Sequence, residues 1–130
     1  HQHCRVGRLA RIGGCARIVQ DVPPFVLTDG DSGLIVGLNR VGIRRAGIDR
    51  DEALQLKEAY RLIYRRGLSF DEVVAALQQQ YPAGPAAEFA EFFQDSRRGF
   101  VQERRSPPRM AIKLHPAADE ETVESKRLVG

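Results

Sequence analysis

The sequence predicts a β + α protein in which the last coil of a parallel β-helix leads into a small C-terminal helical bundle. Three observations carry this. An aliphatic residue recurs every six positions at Val6, Ile12 and Ile18; beyond Gly47 the apolar period becomes that of an α-helix; and two capping-box sequences open the helical stretch.

The hexads run Val-Gly-Arg-Leu-Ala-Arg from Val6, Ile-Gly-Gly-Cys-Ala-Arg from Ile12 and Ile-Val-Gln-Asp-Val-Pro from Ile18. Four residues after each anchor stands a small or aliphatic residue, Ala10, Ala16 and Val22, while Gly7 and Gly13 follow the first two anchors. Arg8, Arg11 and Arg17 fall where side chains should meet solvent. In a hexapeptide β-helix one aliphatic side chain per face fills the prism and a small residue permits the turn. Three hexads make about one coil, which cannot bury its own ladder because stacked neighbours supply the other contacts. The chain opens on His1 and its only methionine is Met110, so further coils are expected upstream. Pro23-Pro24 should stop the ladder; 25–28 reads as a short strand, 29–31 as a turn, and 34–38 as a second extended segment.

The helical period then takes over. Asp49 and Glu52 form one capping box before a helix over 50–66, whose Leu56, Ala59, Tyr60 and Ile63 mark one face and whose end carries Arg65-Arg66-Gly67. Ser69 and Glu72 form a second, with Leu68 and Val73 as a hydrophobic staple, ahead of a helix ending near Gln80. Pro85 suits the first turn of a third helix, in which Phe89, Phe92 and Phe93 cluster and Arg97-Arg98-Gly99 marks the end. The expected organisation is a terminal coil with a connecting segment over 1–46, a three-helix domain over 47–100 and a mobile tail over 101–130, with a short helix near 119–128.

Composition narrows the class. With 42% apolar and 28% charged residues the chain has the means to fold. No apolar run is long enough for a membrane span and no secretory signal precedes the hexads, so the cytoplasm is the expected compartment, where Cys4 and Cys15 stay reduced. A net charge of +3, from 17 Arg and 3 Lys against 17 acids, allows an anionic partner without selecting one.

A more specific pointer lies in His1-Gln2, Ile12-Gly13-Gly14-Cys15, the run from Gln20 to Val26, Gly37-Leu38-Asn39-Arg40-Val41-Gly42-Ile43-Arg44-Arg45, the run from Leu56 to Arg65, and Phe92-Phe93 with Ser96-Arg97-Arg98-Gly99. Together these segments resemble the bacterial acyl-[acyl-carrier-protein]–UDP-N-acetylglucosamine O-acyltransferase family over residues 1 to about 100. The resemblance implies a left-handed β-helix, a homotrimer, and transfer of an (R)-3-hydroxyacyl group from its acyl carrier protein thioester to the 3-hydroxyl of UDP-N-acetylglucosamine in lipid A synthesis. It implies a general-base histidine in earlier coils, so no catalytic residue falls within this chain. Substrate-binding positions carry over to His1 and Gln2 in the active-site groove, to Gly14 at the end of the acyl groove, and to Asn39 and Arg45 at the UDP moiety. No cofactor or metal is implied. Val41 and Ala46 depart from the family pattern, standing where better-known members have a glutamate and a second nucleotide-site arginine.

Other classes fit less well. Nucleic-acid binding would require aromatic and basic residues interleaved, or helix-turn-helix spacing, and neither is evident. Zinc binding by His1, His3, Cys4 and Cys15 is disfavoured because only Cys4 holds the interior position of its hexad. A non-catalytic capping or oligomerisation module of another hexapeptide-repeat protein is the alternative that the helical end supports. For Gly14 two roles stand side by side: room for the terminal methylenes of the acyl chain, or a backbone angle that only glycine tolerates. In the full-length enzyme, Gly14→Met should shift donor preference to a shorter 3-hydroxyacyl chain, at roughly 1–3 kcal/mol per excluded methylene. Comparing donor lengths while following thermal stability checks this, since loss with every donor and a lower melting point would favour the turn role.

Overall fold

A computed structural model describes residues 3–96 and 99–104. His1, Gln2, Arg97, Arg98 and the expected helix near 119–128 lie outside them. The elements in order are β1 (Arg11–Ile12), β2 (Val26–Thr28), β3 (Ile35–Leu38), α1 (Arg40–Arg45), α2 (Arg50–Arg65), α3 (Phe70–Gln80) and α4 (Ala87–Gln94). One mixed sheet, ordered β1-β2-β3, lies beside the four helices.

The six-residue period is written into the backbone. His3, Leu9 and Cys15, six apart, all take positive φ (67°, 59° and 63°), so the chain turns a left-handed corner once per hexad. After Cys15 the spacing changes. The next layer repeats the first sixteen residues later, two fewer than three hexads: Val6 bridges Val22, Arg11 and Ile12 pair in parallel with Leu27 and Thr28, and the Phe25 corner (φ 66°) follows Leu9 in the same register. Gly7 and Gly13 permit this approach. A Cβ on Gly7 would collide with the Pro24 backbone, and one on Gly13 with Gly30.

Pro23-Pro24 therefore does not stop the ladder. The amides needed here belong to the residues flanking the pair: Val22 donates to the Arg5 carbonyl and Phe25 to that of Arg8, both at 2.8 Å. The missing N–H groups of the buried prolines break no bond of this ladder. The parallel run ends one strand later, where Asp29 begins a turn. Its amide donates to Leu34 and its carbonyl accepts from Gly33, and β3 returns antiparallel to β2 with a bulge at Leu27/Thr28.

Both predicted capping boxes form. Asp49 and Ser69 each accept from the amide three residues on, and Glu52 and Glu72 return the bond. At the entry into α3 Leu68 and Phe70 are both partly exposed, at 37% and 40%, and the Phe70 ring meets those of Phe93 and Phe100 at 6.0 and 6.1 Å. The third expected helix is shorter than its markers implied, because Asp95 and Ser96 already turn back onto Phe92 and Phe93. Within the connecting segment, 40–45 is helical. Leu56, Leu62, Ile63, Val73, Leu77, Phe89 and Phe93 build the larger core, and Val22, Val26, Ile35, Tyr60 and Val101 the smaller one against the sheet.

The tail does not begin at Val101. Phe100 and Val101 are buried, Val101 donates to the Asp21 carbonyl, and residues 102–104 run along β3, where Ile35 donates to Gln102 and accepts from Arg104. Glu103 is fixed from the helical side by the Tyr60 hydroxyl at 2.6 Å and Arg65 at 2.8 Å. Burial, the Glu103 charge and their hydrogen bond push the Tyr60 phenol well above its ordinary range.

At the opposite end Asp21, 3% exposed, accepts from both the backbone amide and the Nε of Arg5. The same guanidinium donates to the Phe92 carbonyl and Ser96 hydroxyl and lies 4.0 Å from the Phe92 ring centre, joining the first coil to the end of α4. Arg5→Ala should destabilise the full-length protein by about 2–3 kcal/mol. This is below the ~3–5 kcal/mol of a fully buried pair, because Arg5 is 38% exposed. The double variant with Asp21→Ala should lose less than the two single variants combined, and denaturant unfolding measures the difference. Acid should weaken the fold elsewhere, at the turn after β2 and at the start of α3. The Asp31 amide holds the Asp29 carboxyl below its ordinary range, and Ser69 does the same for Glu72. Their contribution is complete above the unfolded values of about 3.9 and 4.3 and is lost as pH falls through the lower folded ones. A stability titration should show Asp29→Asn with a shallower acid slope than the parent; an unchanged slope would contradict this.

Candidate functional site

Of the five substrate positions expected from the sequence, three lie among the described residues. Asn39 caps α1. Its Oδ1 accepts from the Gly42 amide at 3.1 Å, its Nδ2 donates to the Leu9 carbonyl at 2.9 Å, and its own amide donates to the Phe25 carbonyl at 2.7 Å. One residue thus ties the helix to both layers, its side chain to the Leu9 corner and its backbone amide to the Phe25 corner. Gly42 is part of the fit, since a Cβ there would collide with the Asn39 carboxamide.

Arg45 stands in the last turn of α1, exposed and without an ion-pair partner among the described residues. Val41, one turn earlier, is 42% exposed, and Ala46 forms the C-cap. The backbone thus joins Asn39 and Arg45 at the two ends of a six-residue helix, with an anion-ready guanidinium at the solvent side.

Gly14 is separate from that helix, on the coil beside the Cys15 corner. No heavy atom lies within 4 Å of where its Cβ would stand, and its φ falls outside the left-handed range that Cys15 takes. Neither its backbone angle nor crowding requires glycine in this conformation. The turn role, which needs a backbone angle only glycine tolerates, therefore has no support in this conformation. Cys4 and Cys15 are both free thiols.

Sequence reasoning did not find the pocket between α1 and α2. It is a half-open cleft of about 350 Å³ floored by Leu38, Ile43, Ile48 and Ala53, with Leu54 at its lip and Arg40, Arg44, Arg50 and Lys57 around it. The one-turn spacing of Arg40 and Arg44 and the two-turn spacing of Arg50 and Lys57 are visible in the sequence. What brings the two pairs together is the bend at Gly47 (φ +80°), where the Ile48 amide donates back to Ile43.

Comparison with known proteins identifies the family. A family model described as UDP-N-acetylglucosamine O-acyltransferase, domain 2, matches residues 21–101. The acyl-[acyl-carrier-protein]–UDP-N-acetylglucosamine O-acyltransferase of Vibrio campbellii is 38% identical over 105 residues, covering 78% of this chain and 39% of the relative. Its namesake from Anaeromyxobacter dehalogenans is 36% identical over 103 residues, covering 78% and 40%. Among solved structures, the UDP-N-acetylglucosamine acyltransferase of Bacteroides fragilis superimposes with a TM-score of 0.72 at 32% identity, covering 78% of this chain and 40% of that one. The Arabidopsis enzyme gives 0.69 at 34%, covering 78% and 39%. The chain spans about two fifths of the length of the relatives it matches. With its second-domain match extending from the first buried layer to the strand-like segment on β3, this chain belongs to the UDP-N-acetylglucosamine O-acyltransferase family.

Proposed function

We propose that this chain is the C-terminal part of an O-acyltransferase that moves an (R)-3-hydroxyacyl group from acyl carrier protein to the 3-hydroxyl of UDP-N-acetylglucosamine in lipid A biosynthesis. The observation that carries the proposal is the family match over 21–101, with curated relatives bearing that name. It favours this function over that of a capping module from an unrelated hexapeptide protein.

On this reading residues 1–46 close a left-handed parallel β-helix, 47–100 form its helical C-terminal domain, and 101–104 pack back on the sheet. The corners at His3, Leu9 and Cys15 support a hexapeptide coil. So does an asymmetry of the stack: Val6 and Ile12 are 51% and 37% exposed, whereas their ladder partners Val22 and Thr28 are buried. Another coil laid on the first would cover that open row. The protein would work as a cytoplasmic homotrimer.

The chemistry needs a base to take the proton from the sugar 3-hydroxyl as its oxygen attacks the thioester carbonyl and the pantetheine thiolate leaves. That base is a histidine of an earlier coil, outside this chain. His1 and Gln2 line the acceptor groove, Gly14 leaves room for the end of the acyl chain, and Arg45 binds the diphosphate. Asn39, with both ends of its carboxamide engaged, holds α1 in place beside the nucleotide.

The full-length protein should form UDP-3-O-(3-hydroxyacyl)-N-acetylglucosamine from the two substrates, and absence of product would overturn the assignment. Arg45→Ala should raise KM for the sugar nucleotide far more than it lowers kcat, because the contact exists in ground and transition states alike. A charge-assisted bond of roughly 1.5–3 kcal/mol corresponds to about a ten- to hundredfold loss in kcat/KM. An unchanged KM would remove Arg45 from the site.

A further inference from the structure

The pocket between α1 and α2 has features that the acyl-transfer reading does not use. Its volume, about 350 Å³, falls within the roughly 300–1,000 Å³ of small-molecule sites, and its floor is apolar. Ile43 is 6% exposed, and Leu38, Ile48 and Ala53 are partly buried against the core, so the floor is held from behind. Leu54 is 49% exposed at the lip.

Around this floor stand Arg40, Arg44, Arg50 and Lys57, and none forms an ion pair among the described residues. Of the nearby acids, Asp51 lies beside Arg50 in the first turn of α2 and forms no ion pair among the described residues, and the other three have partners of their own. Asp49 and Glu52 are committed to the cap of α2, and Glu58 accepts from the Tyr81 hydroxyl. Four cations around one concavity repel each other unless an anion joins them. The five expected substrate positions are not among the lining residues.

From this combination we propose that the α1–α2 pocket binds a small amphiphilic anion, a medium-length aliphatic chain bearing a carboxylate, with the chain on Leu38, Ile43, Ile48, Ala53 and Leu54 and the head group among the cations. The concavity favours this ligand over a macromolecule. A stable protein interface buries on the order of 1,000 Å² or more and needs no recessed apolar floor, and a nucleic acid would call for stacking surfaces that this floor lacks. Neither the apolar floor nor the cations would hold the ligand alone. Binding should therefore require chain and charge in one molecule.

The test uses the full-length protein and three probes: decanoate, decanol and inorganic sulfate. Binding is followed by calorimetry and by the methyl resonances of Ile43, Ile48 and Leu54. Decanoate should bind saturably and shift those methyls, with decanol and sulfate at least tenfold weaker. Arg50→Gln with Lys57→Gln should weaken decanoate at least tenfold, and Leu54→Gln should weaken it separately; the melting temperature of each variant is recorded alongside. If a variant fails to fold, the methyl shifts in the unaltered protein decide. The proposal is overturned if sulfate binds as well as decanoate, if the shifts fall outside the pocket, or if decanoate is inert. It is equally overturned if acyl carrier protein, RNA or phosphatidylglycerol vesicles bind through Arg50 and Lys57 while decanoate does not. Transfer activity is measured separately, so failure here leaves the acyltransferase assignment standing, and failure there leaves this site standing.

Discussion

The sheet and the helices share a core because Phe25 turns out of its coil. At φ 66° its backbone keeps the register of the stack, with its amide on Arg8 and its carbonyl accepting from Asn39, while the ring joins the helical core with no exposed surface. There it meets Phe89 edge-on at 5.8 Å, and the Arg8 guanidinium lies 5.1 Å from its centre. A non-glycine residue in this region costs on the order of 1–3 kcal/mol. Burial of the ring contributes roughly 1.5–3 kcal/mol and the edge-to-face contact about 0.5–1.5 more, enough to offset the strain. The start of α1 hangs from the Phe25 carbonyl, so the corner also sets where the basic helix begins.

Long-range ion pairs then tie the coil, the sheet and the helices together. Arg5 with Asp21, Arg8 with Glu88, Arg65 with Glu103 and Arg104 with Asp29 each join segments distant in sequence. The exposed members of this set add at most about 1 kcal/mol each. Their larger effect is on the charge map. With Asp29, Glu88 and Glu103 each held by one of these arginines, the cations of α1 and the first half of α2 are left without an ion-pair partner among the described residues.

Helices α2 and α3 were legible because local chemistry decides their ends: Asp49 with Glu52, and Ser69 with Glu72, need no distant partner to work. Helix α1 was not, since six residues interrupted by Gly42 have no apolar period to read, and their helix depends on an Asn39 side chain that must also reach Leu9. The polar run Gln102-Glu103-Arg104 looks like tail for a similar reason. Its order comes from Ile35, Tyr60 and Arg65, none nearby in sequence. The site divides along the same line. Asn39, Arg45 and Gly14 were singled out through whole motifs and are proposed as site residues on that ground, whereas the four pocket cations sit on two elements whose meeting depends on the bend at Gly47.

The docking of residues 100–104 also sets a clock on synthesis. Until they emerge, the Asp21 carbonyl and both polar groups of Ile35 lack the partners they have in the finished fold. At about 5–20 residues per second, the roughly 67 residues between Ile35 and Gln102 take about 3–13 s to make. That is far longer than hairpin formation, on the order of microseconds. β2 and β3 can therefore pair early while the outer edge of β3 waits as an open strand. During those seconds the outer edge of β3 is an unpaired strand, the kind of edge on which another chain can template its own pairing, and the docking of 102–104 is what closes it.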